Sequence, residues 1–196
     1  MTNPRAIHAV GVSLVSYLNR AFEISGQALT DVPACKVRLL SSGDLTKIDD
    51  VLDLPALTLY LYRITLNEHA RNVRRPNGAS GQAIPLAVDL HYLLTAWADS
   101  AQEEHTTLAW AMREFYMHPM LDVAALNAEA NWDPADAIQI VPSELNLEDM
   151  MRIWDALEPP YHLSVSYIAR LVRIDPDRTP DHQPVVATRF GYRDEP

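Results

Sequence analysis

The sequence predicts an α+β fold, a single mixed or antiparallel β-sheet packed against about three α-helices. Three observations carry this. Apolar residues recur every three or four positions in three separate stretches, as amphipathic helices require. Alternating or continuous apolar runs between them read as strands. Two of those strands follow one another across a polar loop, where a doubly wound parallel sheet would place a helix. The chain has 196 residues, 48% of them hydrophobic, enough for one core and too apolar for a disordered chain.

The elements follow in order. Asn3 and Pro4 open the first helix, a capping side chain followed by proline at the first helical position. Ile7, Val10, Leu14, Leu18 and Phe22 form its inner stripe, and Gly26 is its stop. Cys35–Leu40 alternates apolar and basic residues as a half-exposed strand, and a short helical turn is expected around Leu45–Leu52. Leu57–Leu66 is apolar or aromatic on both faces, which predicts a strand covered on both sides near the middle of the sheet.

Asn67–Gln82 breaks the pattern: Arg71, Arg74 and Arg75 precede a run rich in Gly, Ser and Pro with no periodicity. Ile84–Leu94 resumes as a strand. Asp99 and Ser100 cap a second helix whose inner stripe is Ala101, Leu108, Met112 and Phe115, ending near Pro119. Ala137–Val141 is a short strand stopped by Pro142. Asn146 caps a third helix with an apolar face of Leu147, Met150, Met151, Trp154 and Leu157. Tyr161–Ile174 is the last strand. From Asp175 onward four prolines and the short apolar pieces Val185–Val186 and Phe190–Tyr192 mark an arm. The expected organisation is one domain over 1–174 and a tail over 175–196.

Charge narrows the partners. The net charge is −10, which disfavours nucleic acid, whose binding draws on clustered Lys and Arg. Asn67–Gln82 alone carries +2, three arginines against Glu68, leaving −12 elsewhere. Guanidiniums on such a loop fork onto carboxylates of a partner, and an exposed loop compensating nearby acids is the plainer alternative. The single cysteine, Cys35, forms no internal disulfide and fits a reducing compartment. No run is long and apolar enough to span a membrane, and no cationic leader precedes an apolar stretch, so cytoplasmic folding is expected.

Chemistry is sparse. The six glycines form no phosphate loop or dinucleotide fingerprint. No two of the seven histidines stand four apart as on a zinc-binding helix. Asp89 and His91 share a strand face, where a carboxylate beside an imidazole can tune a base or hold a metal. A solvated polar pair on a sheet is the ordinary use of the same residues. Catalytic residues, cofactors and metals are therefore predicted as none. A small metal-dependent hydrolase centred on Asp89 and His91, or a protein-binding adaptor, remains the alternative.

Two stretches go further. Leu59–Tyr60–Leu61–Tyr62–Arg63 is followed by Asn67 and Arg71–Asn72. Later come Leu147–Glu148–Asp149–Met150, Ile153–Trp154–Asp155–Ala156–Leu157, Pro160–Tyr161, Leu163–Ser164, Tyr167 and Val172–Ile174. With Leu108–Leu121 between them, these resemble the N-terminal domain of the tail-terminator, or cap, proteins of extracellular contractile injection systems. Those are phage-tail-like particles of the antifeeding-prophage and virulence-cassette type. The likeness runs from about Pro4 to Ile174.

The resemblance implies a tail-terminator-like fold and a structural task. It implies a ring, expected to be a hexamer, seated on the inner tube and sheath at the end away from the baseplate and ending their polymerisation. The partners it implies are other copies of the chain, the tube protein and the sheath protein, without nucleic acid or membrane insertion. It also implies assembly in the cytoplasm as part of a particle that can be released. Arg71, Arg74 and Arg75 are the expected tube contact. Val185 and Val186 are the expected strand donors to the sheath.

Overall fold

The computed structural model describes residues 2–25, 32–67, 70, 85–157 and 159–176. Helix α1 spans Ala6–Ser25. The Asn3 side chain accepts the Arg5 amide at 2.9 Å, as expected of a cap, while the helix itself begins two residues after Pro4. Val10, Leu14, Leu18 and Phe22 are buried and Ile7 packs against them.

Strand β1 is Lys36–Leu40. Two short helices follow, α2 Ser42–Leu45 and α3 Ile48–Val51, where one turn was expected. Strands β2 Ala56–Leu66 and β3 Leu86–Trp97 come next, then α4 Ala101–Met117, β4 Met120–Asp122 and β5 Ala137–Ser143. Helix α5 is Leu147–Asp155 and strand β6 is Ser164–Ile174.

The strands form one sheet in the order β1-β2-β3-β6-β5-β4. Only β1 and β2 are parallel, joined through α2 and α3; every other pairing is antiparallel. The α+β expectation, a mixed sheet with helices against it, is what the chain forms.

The sheet separates two apolar clusters. The larger holds Val88, Leu90, Tyr92 and Leu94 of β3 with the buried stripe of α1 and with Leu108, Trp110, Ala111 and Phe115 of α4. The smaller holds Ala56, Leu93 and Trp97 with Met150 and Trp154 of α5. Because strand side chains alternate, the odd-numbered Leu93 and Trp97 project opposite to the even-numbered residues. Helix α5 therefore covers the second face, and only at one end. Cys35 is buried, which pushes its thiol up to about 11 and leaves it unreactive near neutrality.

Several expectations are corrected. β2 is not central: β3 and β6 are, and β2 is covered on both faces only over Ala56–Leu59. β1 pairs with Ala56–Tyr60 alone, so the far half of β2 runs beyond its neighbour and Arg63, Ile64 and Leu66 are exposed. Pro142 does not stop β5; it pairs opposite Tyr167. β4 reaches only Ala137–Gln139. Pro142 therefore lies where that side of β5 is open, and its missing N–H breaks no ladder bond.

In α4, Ala101 and Met112 are exposed and Trp110 and Ala111 are buried. The buried arc of α4 is centred on Ala111, one position before the predicted Met112. In α5, Leu147 and Met151 are exposed, so Met150 and Trp154 carry the packing. β6 begins at Ser164; Tyr161 and His162 precede it as an irregular segment packed on the tryptophans. β4 was not expected at all.

Candidate assembly surfaces

Arg71, Arg74, Arg75, Val185 and Val186 lie outside the described residues, as does Gly26. Their roots do not. β2 ends at Leu66, β3 begins at Leu86 and β6 ends at Ile174. Register places Leu66 opposite Val88 and Leu86 opposite Ile174. The arginine-bearing segment and the tail therefore leave three adjacent strands at the same end of the sheet.

Both roots are fastened. The Asp175 amide donates to the Thr2 carbonyl at 2.9 Å, and the Thr2 amide donates to Asp175 Oδ2 at 2.8 Å. On the other root the Asn67 amide donates to the Ala87 carbonyl at 2.9 Å, carrying the β2–β3 ladder one residue past β2. The Asn67 side chain donates Nδ2 to both carboxylate oxygens of Asp89, each at 3.0 Å, and its Oδ1 accepts the Ala70 amide at 2.9 Å.

Asp89 stands at an irregularity between β3 and β6. Val88 faces Val172 and Leu90 faces Ala169, so Arg170 and Leu171 together oppose Asp89. This two-against-one count is a β-bulge. Leu171 has φ 64°, and its amide donates to Asp89 Oδ1 at 3.0 Å.

His91, two residues on, bonds through Nε2 to Thr65 Oγ1 at 2.9 Å, with its ring 5.9 Å from that of Tyr62. Burial holds it neutral to lower pH than a free histidine, Arg63 adds to this, and Asp89 partly opposes it. The predicted polar pair is thus present on one strand face, with the carboxylate occupied by N–H donors and the imidazole by a hydroxyl. No group of three His, Cys, Asp or Glu placed to hold a metal occurs among the described residues.

Apolar surface gathers at the same sheet end. Ile64, Leu66 and Leu86 are 47%, 62% and 49% exposed. Directly paired residues share a face, so Ile64 opposite Leu90 and Leu66 opposite Val88 continue the main core face past the helices. Tyr116, Met117 and Met120 form a second exposed apolar group where α4 turns into β4.

A groove of about 700 Å³ lies at the other end of β3, lined by Leu45, Ile48, Leu54, Trp97, Pro159 and His162 among others. The His162 ring lies 4.1 Å from that of Trp97, centroid to centroid. Burial holds His162 neutral to lower pH, with Glu104 opposing.

The sheet edges differ. β1 is one edge, and there Asn19 of α1 meets the backbone of Val37. β4, three residues long, is the other. Sequence reading singled out Asn67 only as part of a resemblance and did not find Asn19 or the Asp89–Leu171 contact. Each joins residues far apart in the chain and leaves no periodic mark.

The family described as Pvc16 N-terminal domain matches residues 9–188. The fold is similar to the sheath/tube terminator of PVC, an extracellular contractile injection system, in its extended state. That match has a TM-score of 0.52 and 17% identity, over 92% of this chain and 64% of that one. It is also similar to the tube-terminating cap of the anti-feeding prophage. Here the TM-score is 0.52 with 19% identity, over 89% of this chain and 60% of that one. The chain thus spans less than two thirds of either protein's length. No curated protein matches the sequence.

Proposed function

The chain belongs to the Pvc16 N-terminal domain family, and from that premise we propose that it is a structural cap of a contractile injection system. It ends polymerisation of the inner tube and sheath by forming a ring, a hexamer, on their end away from the baseplate. The observation that carries this reading is the family match over 9–188, together with a fold shared with two such caps.

The physical logic is that of open head-to-tail assembly. Tube and sheath grow because each ring shows the next a complementary face. A cap supplies one such face and withholds the other, so addition stops. Ring closure uses a heterologous side-to-side contact between copies, and the particle is assembled in the cytoplasm before any release.

The body over 1–174 is the ring-forming domain, and 175–196 is an arm. Arg71, Arg74 and Arg75 dock on carboxylates of the tube rim, and Val185 and Val186 add a strand to a sheath subunit. Supporting this division, both segments leave the sheet at one end, where Ile64, Leu66 and Leu86 stand exposed. The task is non-enzymatic, since Asp89 and His91 are spent on bonds within the sheet.

Deleting the gene and imaging the particles by negative-stain microscopy tests the reading. Overlong or frayed tubes are expected, restored by the full chain supplied in trans. Particles of normal length and ends in the deletion strain would overturn it.

A further inference from the structure

Asn67 follows directly on β2 at the root of the arginine-bearing segment, and it holds more than the ladder needs. Its backbone amide already continues the β2–β3 pairing by donating to Ala87. Its side chain reaches in two further directions, to Asp89 in β3 and to the Ala70 amide three residues into the segment. Ala70 is itself buried.

The chemistry of the three positions is mutually demanding. An asparagine amide offers N–H donors from one atom and an acceptor from the other, which aspartate cannot do. Asp89 accepts from Asn67 on both oxygens and from the Leu171 amide on one. That amide belongs to the bulge residue with φ 64°, and a bulge leaves a backbone group without a ladder partner that must be satisfied otherwise. One side-chain pair thus ties β2, β3, the β6 bulge and Ala70 together.

We propose that Asn67, acting with Asp89, is a positioning residue: this clamp holds Ala70, at the root of the arginine-bearing segment, to the end of the sheet. Capping depends on it beyond the stability it contributes. The inference deepens the cap reading and rests on it.

Three variants test it: Asn67→Asp, Asp89→Asn, and the two together. The first sets carboxylate against carboxylate. In the second, whichever way the new amide turns, one N–H faces another. The double variant rebuilds most of the set in reverse: the new amide donates to the new carboxylate, its oxygen still accepts the Leu171 amide, and the second carboxylate oxygen accepts the Ala70 amide. One oxygen–oxygen contact is left where Asn67 Nδ2 met Asp89 Oδ1.

Two readouts are taken: amide hydrogen exchange at Ala70 in the purified chain, and tube length in the deletion strain complemented by each variant. Each single variant is expected to speed Ala70 exchange about tenfold, a local opening rather than global unfolding, and to leave tubes overlong. The double variant is expected to recover a substantial part of both relative to either single variant.

Normal tube lengths despite fast exchange at Ala70 would overturn the proposal, as would unchanged exchange in the single variants. So would a double variant that restores slow exchange without restoring length. If the unaltered chain fails to restore length, the cap reading itself falls, which separates the two failures.

Discussion

Asn19 of α1 exchanges two hydrogen bonds with the backbone of Val37. Its Nδ2 donates to the Val37 carbonyl at 3.0 Å, and the Val37 amide donates to its Oδ1 at 3.0 Å. Val37 lies in β1, an edge of the sheet, so a side-chain amide takes the place that a further strand would occupy.

Asn19→Ala should therefore do two things. Loss of both bonds at a part-buried edge costs about 1–3 kcal/mol, read as a lower urea midpoint. The uncovered edge should also associate with other chains, read by light scattering. Unchanged stability and unchanged scattering together would show that the pair protects nothing.

Gly11 lets α1 lie close to the sheet. A Cβ there would sit 2.9 Å from both Leu39 methyls and 3.3 Å from Tyr92 Oη. Alanine gains about 1 kcal/mol of helix propensity, and Leu39, half-buried at the far end of its side chain, can shift to admit it, so Gly11→Ala should be near neutral. Gly11→Val has no such room and should cost about 1–3 kcal/mol by overpacking. Denaturant midpoints of the two variants decide the matter; equal midpoints would contradict it.

His162 and His91 both stay neutral in the folded chain to lower pH than the ordinary 6.5, chiefly through burial. At and below that value the unfolded chain takes up protons that the folded chain refuses. Stability from these rings is therefore present above pH 6.5 and lost as pH falls below it. The melting temperature should drop on acidification from pH 7, and His162→Phe, which keeps a ring against Trp97, should flatten the drop. A variant with the same pH slope would dismiss His162 as a contributor.

Neutralising Arg71, Arg74 and Arg75 together by glutamine should weaken attachment to tubes in a co-sedimentation assay. It should leave the melting temperature within about a degree, since the role proposed for these side chains is contact with a partner and not packing within the chain. A large loss of stability would make the segment part of the fold instead of a contact.

The fold was largely legible in the sequence. The stripe Val10–Leu14–Leu18–Phe22 and the caps Ser100 and Asn146 act as their spacing predicts. These signals are local: a helix writes its buried face into residues three and four apart. The errors fall where the deciding partner is remote. Leu57–Leu66 looks doubly covered because its composition is apolar throughout, yet β1 is too short to accompany it past Tyr60. Met112 has the right chemistry for a core position and lies on the wrong side of the arc that the sheet buries.

The candidate surfaces were legible only as composition. Sequence marked the arginine-bearing segment by its charge and the tail by its prolines, with no means of relating them. The register Leu86 opposite Ile174 brings their roots together, and the bulge at Leu171 makes Asp89 a structural acceptor where its neighbour His91 had suggested chemistry.

By itself the sequence determined the class of fold, the order of most elements, the acidic body with one basic segment, and the family likeness. All of these are written in nearest-neighbour periodicity, residue type and spacing. The tertiary structure alone decided the strand order, which half of β2 stays bare, how the β1 edge is closed, and that both extensions leave one end of the sheet. Those depend on hydrogen-bond pairing between residues as far apart as Asn67, Asp89 and Leu171, where one residue of register or one bulge changes every contact that follows.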